Sequence, residues 1–84
     1  MFYVYVLKSL ADDGLYIGYT GDLKNRIESH TQGKVESTRN RLPLELIYYE
    51  ACQRKDDAFR RERYLKTTYG RRYIKNRLRS YFIG

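Results

Sequence analysis

Residues 3–30 read YVYVLKSLADDGLYIGYTGDLKNRIESH, and they contain two strand patterns, a polar turn and a short helix pattern. The first strand pattern is FYVYVLK at 2–8, which is aromatic and β-branched without a breaker. The second is LYIGY at 15–19. Between them, ADDG at 11–14 has the composition of a turn, because Asp tolerates bent backbone and Gly supplies positive φ. This stretch therefore predicts an antiparallel β-hairpin.

The side chains that share a face of the hairpin depend on its register. Tyr5 lies with Tyr3 and Leu7 on one face of the first strand, and Tyr16 lies with Gly18 on one face of the second. Any register in which the paired residue numbers sum to an odd value puts Tyr5 and Tyr16 on the same side of the sheet. Parity alone does not choose that register. In it, Gly18 either admits a ligand or helix close to the backbone, or reflects packing only.

A short helix is predicted directly after the hairpin. Helix-start residues occupy 20–22, LKNRIESHTQ follows at 23–32, and Gly33 is a natural stop. Arg26 and His30 are four residues apart, next to the apolar stripe, so both are expected to project over the sheet face at its solvent edge. The same spacing also describes an ordinary amphipathic helix with a solvated arginine and a surface histidine.

The remainder of the chain predicts one more strand and two more helices. KVESTRNRLP at 34–43 lacks periodicity and predicts a loop, and LELIYYEA at 44–51 predicts the third strand, with alternate residues on opposite faces. A helix should begin at Asp56 and Asp57 and end at Thr67 or Thr68. Tyr69 and Gly70 are expected to break the chain before a last helix, RRYIKNRLRSYF, at 71–82.

These elements define the expected fold class, α/β of the α+β type, as a single domain of residues 1–84. A three-stranded antiparallel sheet carries three helices in the order ββαβαα, and the pattern does not decide the strand order. No apolar run approaches the ~20 residues that span a bilayer, so we expect a cytoplasmic protein with no membrane partner. The single cysteine, Cys52, excludes an internal disulfide and fits a reducing compartment.

Positive charge is concentrated in the C-terminal third. The chain has 17 Lys and Arg against 10 Asp and Glu, a formal net charge of +7. Residues 1–53 carry six bases and seven acids, whereas residues 54–84 carry eleven bases and three acids. A basic face favours nucleic acid as a partner, although a solvated charged face is the alternative. The expected phosphate contacts are Arg39, Arg41, Arg71, Arg72, Lys75 and Arg79.

Glu62 breaks the pattern of its helix. It shares a stripe with Ala58, Phe59 and Leu65, at a position where the periodicity expects an apolar residue. A carboxylate there is unfavourable unless it is paired or binds a cation. One interpretation is an ion pair with Arg26 or a C-terminal arginine; the other is a metal ligand.

Taken together, the motifs resemble the GIY-YIG nuclease domain. The triplet at 3–5 stands where the first family triplet stands, with only Tyr5 retained, and the triplet at 16–18, YIG, is the complete second one. Arg26 and His30 follow at the spacing of the family helix. The chain is most similar to the small stand-alone branch, to the N-terminal domain of the family's excinuclease and to the catalytic domain of structure-specific flap endonucleases.

This resemblance implies a divalent-metal-dependent DNA endonuclease, structure-specific or weakly sequence-specific, with a role in DNA repair or recombination. It implies that Tyr16 is the base, Tyr5 positions the water or the phosphate, and Arg26 stabilises the pentacovalent phosphate. His30 shares the base role or orients a tyrosine, and Glu62 holds Mg²⁺ or Mn²⁺. A phenol of ordinary pKa, about 10, is only ~0.1% ionised at neutral pH, so a tyrosine mechanism requires a nearby cation.

One departure from the family pattern concerns activity. Tyr19 stands where some members carry a lysine, so we expect a slow enzyme or one that depends on a protein partner. Asn76 is the only candidate for the family's terminal asparagine, and its spacing keeps it out of the catalytic set. Two other hypotheses stay open: a nucleic-acid-binding module that stacks bases on exposed tyrosines, and an accessory protein that docks on another protein.

Overall fold

The computed structural model describes residues 1–84, and it confirms the predicted α+β class with a three-stranded antiparallel sheet. No helix is long and apolar enough to cross a membrane. The elements, in chain order, are β1 (Phe2–Ser9), β2 (Leu15–Thr20), α1 (Leu23–Thr31), β3 (Leu44–Cys52), α2 (Lys55–Leu65), α3 (Thr68–Arg77) and α4 (Arg79–Ile83), with a short 3-10 helix at Arg39–Arg41.

The sheet has the order β2-β1-β3, so β1 is its central strand. In the hairpin Tyr5 pairs with Gly18 and Leu7 pairs with Tyr16, and every pair sums to an odd number. Tyr5 and Tyr16 therefore lie on the same face. Positive φ occurs at Asp13 (φ 61°) in the turn and not at the glycine that follows it, contrary to the expectation.

Helices cover both faces of the sheet. The face that carries Tyr5 and Leu7 packs with Leu44 and is covered by α1, whose Leu23 and Ile27 contact it. The opposite face is covered by α2 and α3, and its buried cluster comprises Val4, Val6, Ile17, Ala58, Leu65 and Ile74. Because helices cover both faces of β1, its residues 4–7 are all buried.

A β-bulge changes the predicted alternation of β3. Residues 6 and 7 of β1 pair with Tyr48 and Leu46, so Ile47 is an extra residue on β3. Strict alternation would keep Tyr48 on the face of Leu46, and that prediction is wrong, because Tyr48 packs with the α2 and α3 cluster instead. The same shift places Tyr49 opposite Tyr5, on the face that α1 covers only in part.

The C-terminal helices differ from the prediction in two places. The expected break at 69–70 is wrong, because Gly70 lies inside α3, and the side chain of Thr67, its N-cap, accepts a hydrogen bond from Gly70 N at 3.1 Å. A Cβ at Gly70 would overlap the carbonyl oxygen of Tyr64, so glycine permits close helix packing here. The chain is interrupted later, at Leu78, and one predicted helix is therefore two.

A polar network fixes α2 and α3 against β3. Arg61 donates two hydrogen bonds to the carboxylate of Glu50, both at 2.9 Å, and Tyr48 donates a third at 2.8 Å. The Arg61 guanidinium also lies over the ring of Tyr73, 4.7 Å from its centre. Burial raises the pKa of Glu50, but the hydrogen bonds from Arg61 and Tyr48 outweigh it and the pKa lies below its ordinary value. This network orients the helix that carries Glu62.

Candidate active site

The structure brings four of the five predicted catalytic residues into one cluster between β1, β2 and α1. Tyr5 Oη lies 2.8 Å from His30 Nε2, and Arg26 Nε donates to Tyr5 Oη at 3.4 Å. The rings of Tyr16 and His30 have their centres 5.1 Å apart. A Cβ at Gly18 would come within 2.5 Å of Tyr5 Oη, so the phenol fills the space that the missing side chain leaves. Gly18 therefore serves packing of the cluster.

His30 is fully buried, and its predicted place at the solvent edge is wrong. The reason is a contact from outside its own helix: His30 Nδ1 lies 2.7 Å from Oγ1 of Thr38, which is also fully buried. Both ring nitrogens thus have partners, which offsets the cost of burying them. Thr38 was not among the predicted site residues, since nothing in the sequence distinguishes it from its polar neighbours in the loop.

Burial sets the protonation states of the cluster. It lowers the pKa of His30 to about 4, with the charge of Arg26 adding to the effect, so the imidazole is neutral at pH 7. Burial also raises the pKa of Tyr5, and the opposing hydrogen bond from Arg26 does not cancel this. Tyr5 is therefore a neutral phenol, and His30 can accept a proton from it.

Arg26 favours one of the two proton arrangements in this cluster. In one arrangement Tyr5 donates to His30 Nε2 and His30 Nδ1 donates to Thr38; in the other, both hydrogen bonds are reversed. Arg26 can only donate, and its hydrogen bond occupies an acceptor position on Tyr5 Oη. A second donor to that oxygen would leave the Tyr5 hydrogen without an acceptor, which favours the arrangement in which Tyr5 donates.

Two members of the cluster reach solvent. Tyr16 and Arg26 are partly exposed, whereas Tyr5 and His30 are buried. Arg26 has five N–H donors, of which Tyr5 takes one, so the guanidinium can also bind a phosphate. Its hydrogen bond to Tyr5, first of all, raises the pKa of Arg26 above its ordinary value. The side of the cluster that can touch a substrate is therefore Tyr16 and Arg26.

Glu62 lies on α2, across the sheet from α1, and no hydrogen bond joins it to the cluster. Its side chain is 12% exposed, and its carboxylate pairs with Lys66 Nζ at 3.3 Å on the same helix. The predicted ion pair with Arg26 or a C-terminal arginine is therefore wrong. The Glu62 charge still contributes to the raised pKa of Tyr5, as the weakest of the causes, which places the carboxylate within electrostatic range.

A lone carboxylate limits the kind of metal site that this chain can form. No group of three or more His, Cys, Asp or Glu side chains is arranged to hold a metal ion. Mg²⁺ commonly binds through one or two carboxylates and takes its other ligands from water and substrate phosphate. Glu62, a largely buried hard oxygen donor, fits such a cation.

None of the five predicted catalytic residues lines a cavity, so the expectation that they surround one open groove is not met. The larger cavity, about 540 Å³, lies between α1 and the exposed part of the sheet. The smaller, about 310 Å³, is lined by Thr68, Arg71, Arg72 and Lys75 of α3. Three predicted phosphate contacts therefore share one concave surface.

The other predicted phosphate contacts differ in availability. Arg39 and Arg79 are exposed. Arg41 instead donates to Asp12 at 3.0 Å, which links the loop after α1 to the β1–β2 turn. The hydrogen bond from Arg41 is the main reason that the pKa of Asp12 is lowered to about 2. Arg41 is thus already paired in this structure.

Comparison with known proteins agrees with the motifs. The family described as GIY-YIG catalytic domain matches residues 1–78. A UPF0213 protein of Streptococcus pyogenes serotype M5 is 48% identical over 65 residues, which cover 76% of this chain and 70% of the relative. UPF0213 proteins of Bacillus pumilus and Clostridium perfringens are 47% and 43% identical over 66 and 67 residues, covering 77% and 79% of this chain and 66% and 71% of their own. No solved structure matches the chain. The chain belongs to the GIY-YIG nuclease family.

Proposed function

We propose that this protein is a divalent-metal-dependent DNA endonuclease of the cytoplasm that hydrolyses phosphodiester bonds at branched or flap structures during DNA repair or recombination. The observation that carries the proposal is the cluster itself. Its partly exposed side consists of a phenol and a guanidinium, and its buried side is a hydrogen-bonded chain from Tyr5 through His30 to Thr38. Membership in a nuclease family supports the same chemistry.

Tyr16 and Arg26 are the residues that would contact the reacting groups. Hydrolysis transfers one proton from the attacking water to a base while negative charge builds on the phosphate oxygens. Tyr16, at the exposed side, accepts that proton in the proposed mechanism, and Arg26 donates hydrogen bonds to the phosphate. The charge of Arg26, close to both tyrosines, also favours the ionised form of a phenol.

Tyr5, His30 and Thr38 act as positioning residues in this mechanism because they are buried. Neutral His30 accepts from Tyr5, and Tyr5 accepts from Arg26, so the chain fixes the guanidinium that meets the phosphate. A side chain held by its own hydrogen bonds requires little reorganisation when charge develops. The structure thus supports a role for His30 through Arg26 and Tyr5, without contact with the substrate.

Glu62 would hold Mg²⁺ or Mn²⁺. When bound, such a cation neutralises charge on the phosphate and acidifies a coordinated water. Affinity in the absence of DNA should be weak, because the chain supplies one carboxylate. Tyr19 packs edge to face against Phe59, with ring centres 5.6 Å apart, so it brings no second cation to the cluster. This supports a slow enzyme or one that depends on a protein partner.

Cleavage of supercoiled and flap DNA by purified protein tests the proposal, with Mg²⁺ or Mn²⁺ and with chelator. Arg26→Ala should lower the cleavage rate by roughly a hundredfold or more, the range for one charged contact to a transition state. Glu62→Gln should abolish metal-dependent cleavage and leave DNA binding intact. If DNA stays intact with either metal at high protein concentration, the nuclease proposal fails and a nucleic-acid-binding module remains.

Lys66→Ala is the matched control for Glu62→Gln. Both changes remove the ion pair between these residues, which is partly exposed and contributes at most about 1 kcal/mol. Only Glu62→Gln removes the carboxylate. Equal cleavage by the two variants, per folded molecule, would assign Glu62 to the ion pair and remove it from the mechanism.

A further inference from the structure

The larger cavity, here called the tyrosine groove, lies on the sheet face beside α1 and has a volume of about 540 Å³. Its base is formed by Tyr3, Leu46 and Tyr49, and its wall by Leu23 and Ile27 of α1. Tyr49 is 52% exposed and Leu46 is 36% exposed. Single exposed apolar residues are common, but several in one concave surface indicate a binding site.

The groove exists because of two features of the fold. The bulge at Ile47 turns Tyr49 to the α1 face, and α1, with nine residues, covers the β2 side of that face better than the β3 side. Tyr3 and Tyr49 pack edge to face with ring centres 6.2 Å apart. The result is an aromatic surface that no other part of the chain covers.

The groove begins next to the candidate active site. Tyr49 is the register partner of Tyr5, and neighbouring strands lie about 4.8 Å apart. The wall residues Leu23 and Ile27 flank Arg26 in the sequence of α1. A nucleic acid strand with a phosphate at Arg26 therefore has its adjacent nucleotide within reach of the groove.

The charge around the groove favours a base over a phosphate. The charged residues that line it are Asp22, Lys24 and Glu28, two acids and one base, whereas the cavity on α3 is lined by three cations and no apolar residue. Asp22 is occupied by Asn25 at 2.7 Å, and Glu28 is exposed with no ion-pair partner. A carboxylate accepts hydrogen bonds from the amino group of cytosine or adenine.

We propose that the tyrosine groove binds an unpaired nucleobase next to the phosphate at Arg26, so that the substrate is DNA with an unstacked nucleotide at the cleavage position. This inference rests on the proposed nuclease function. Base pairs inside a duplex are stacked, and their faces are closed to Tyr49. An unpaired base offers its π-face, and stacking on an aromatic side chain contributes roughly 1–3 kcal/mol per base.

Binding without divalent metal tests this inference, by fluorescence anisotropy over a series of salt concentrations. The probes are a flap DNA with one unpaired nucleotide, the same DNA with an abasic site at that nucleotide, and a fully paired duplex. Tyr49→Ala should weaken binding of the flap DNA by roughly 5- to 100-fold, the equivalent of one stacked base, and leave duplex binding and the salt slope unchanged. The abasic site should weaken wild-type binding by the same factor and add no loss in Tyr49→Ala.

Two control variants accompany this test. Tyr64→Ala removes a tyrosine that is 43% exposed on α2, across the sheet, and should not change binding. Tyr49→Phe keeps the ring and should bind as wild type, which separates loss of stacking from loss of folding.

Three results would overturn the inference. One is an equal loss for flap and duplex DNA in Tyr49→Ala, and another is an abasic site without effect. The third is a dimer in solution that Tyr49→Ala dissociates, which would make the groove an interface between copies. Binding of the unpaired base without any cleavage would instead refute the nuclease activity and keep the base site. Cleavage by Tyr49→Ala with an unchanged preference for flap DNA would refute the base site alone.

Discussion

Mild acid should destabilise this protein through His30. Burial lowers its pKa from 6.5 to about 4, so the folded state binds the proton more weakly than the unfolded state. The stabilisation is complete above the unfolded pKa and is lost as the pH falls towards the folded pKa. At about pH 5, ~97% of unfolded molecules but only ~10% of folded ones carry the proton, which corresponds to a loss of about 2 kcal/mol relative to pH 7.5.

Urea denaturation at several pH values between about 7.5 and 5 measures this loss. With a slope of about 1 kcal/mol per molar urea for a small domain, the midpoint should fall by about 2 M. The pKa of Glu50 and of Asp12 is also lowered, so their stabilisation is also lost in acid, chiefly at lower pH. His30→Gln isolates the histidine contribution, because the pH dependence of its stability over this interval should be flat by comparison.

The sequence provides a direct check, since His30 is its only histidine. Heteronuclear NMR of the imidazole should show a single resonance set that stays neutral down to about pH 5, with the proton on Nδ1. A titration midpoint near 6.5 would mean that the imidazole is solvated. That result would refute the buried chain from Tyr5 to Thr38 and, with it, the positioning role of His30.

Two further substitutions test contacts that the fold creates. Thr38→Val keeps the shape but leaves His30 Nδ1 without a partner, so the free energy of unfolding should fall by about 1–3 kcal/mol and cleavage by roughly tenfold or more, with a changed Nδ1 to Nε2 proton ratio by NMR; an unchanged ratio would exclude the positioning role. Gly70→Ala should destabilise by about 2 kcal/mol or more in thermal melts despite the better helix propensity of alanine, because the added Cβ overlaps the Tyr64 carbonyl. Gly21→Ala is its control, since a Cβ there meets nothing closer than 3.5 Å, and equal losses in both variants would contradict the steric argument.

Local chemistry in the sequence was sufficient for the hairpin and for the helix that follows it. Breaker-free aromatic strands, a turn of Asp and Gly, and Asp22 as a cap specify their own conformations, because the groups that satisfy them lie within a few residues. Asp22 does accept from Asn25 N, and Gly33 has the positive φ (74°) expected of a helix stop. The spacing of Tyr5, Tyr16, Arg26 and His30 predicted a cluster for the same reason, since the hairpin and α1 are joined directly.

Contacts between distant segments decided the rest. The burial of His30 depends on Thr38 in a loop, and the position of Tyr49 depends on one extra residue in β3, so neither follows from periodicity. Gly70 had the composition of a breaker, yet it lies inside a helix, because α3 packs against the end of α2 more closely than a side chain allows. A residue pattern specifies which side chains share a face, but which partners meet that face, and whether water reaches it, is determined only when the chain has folded.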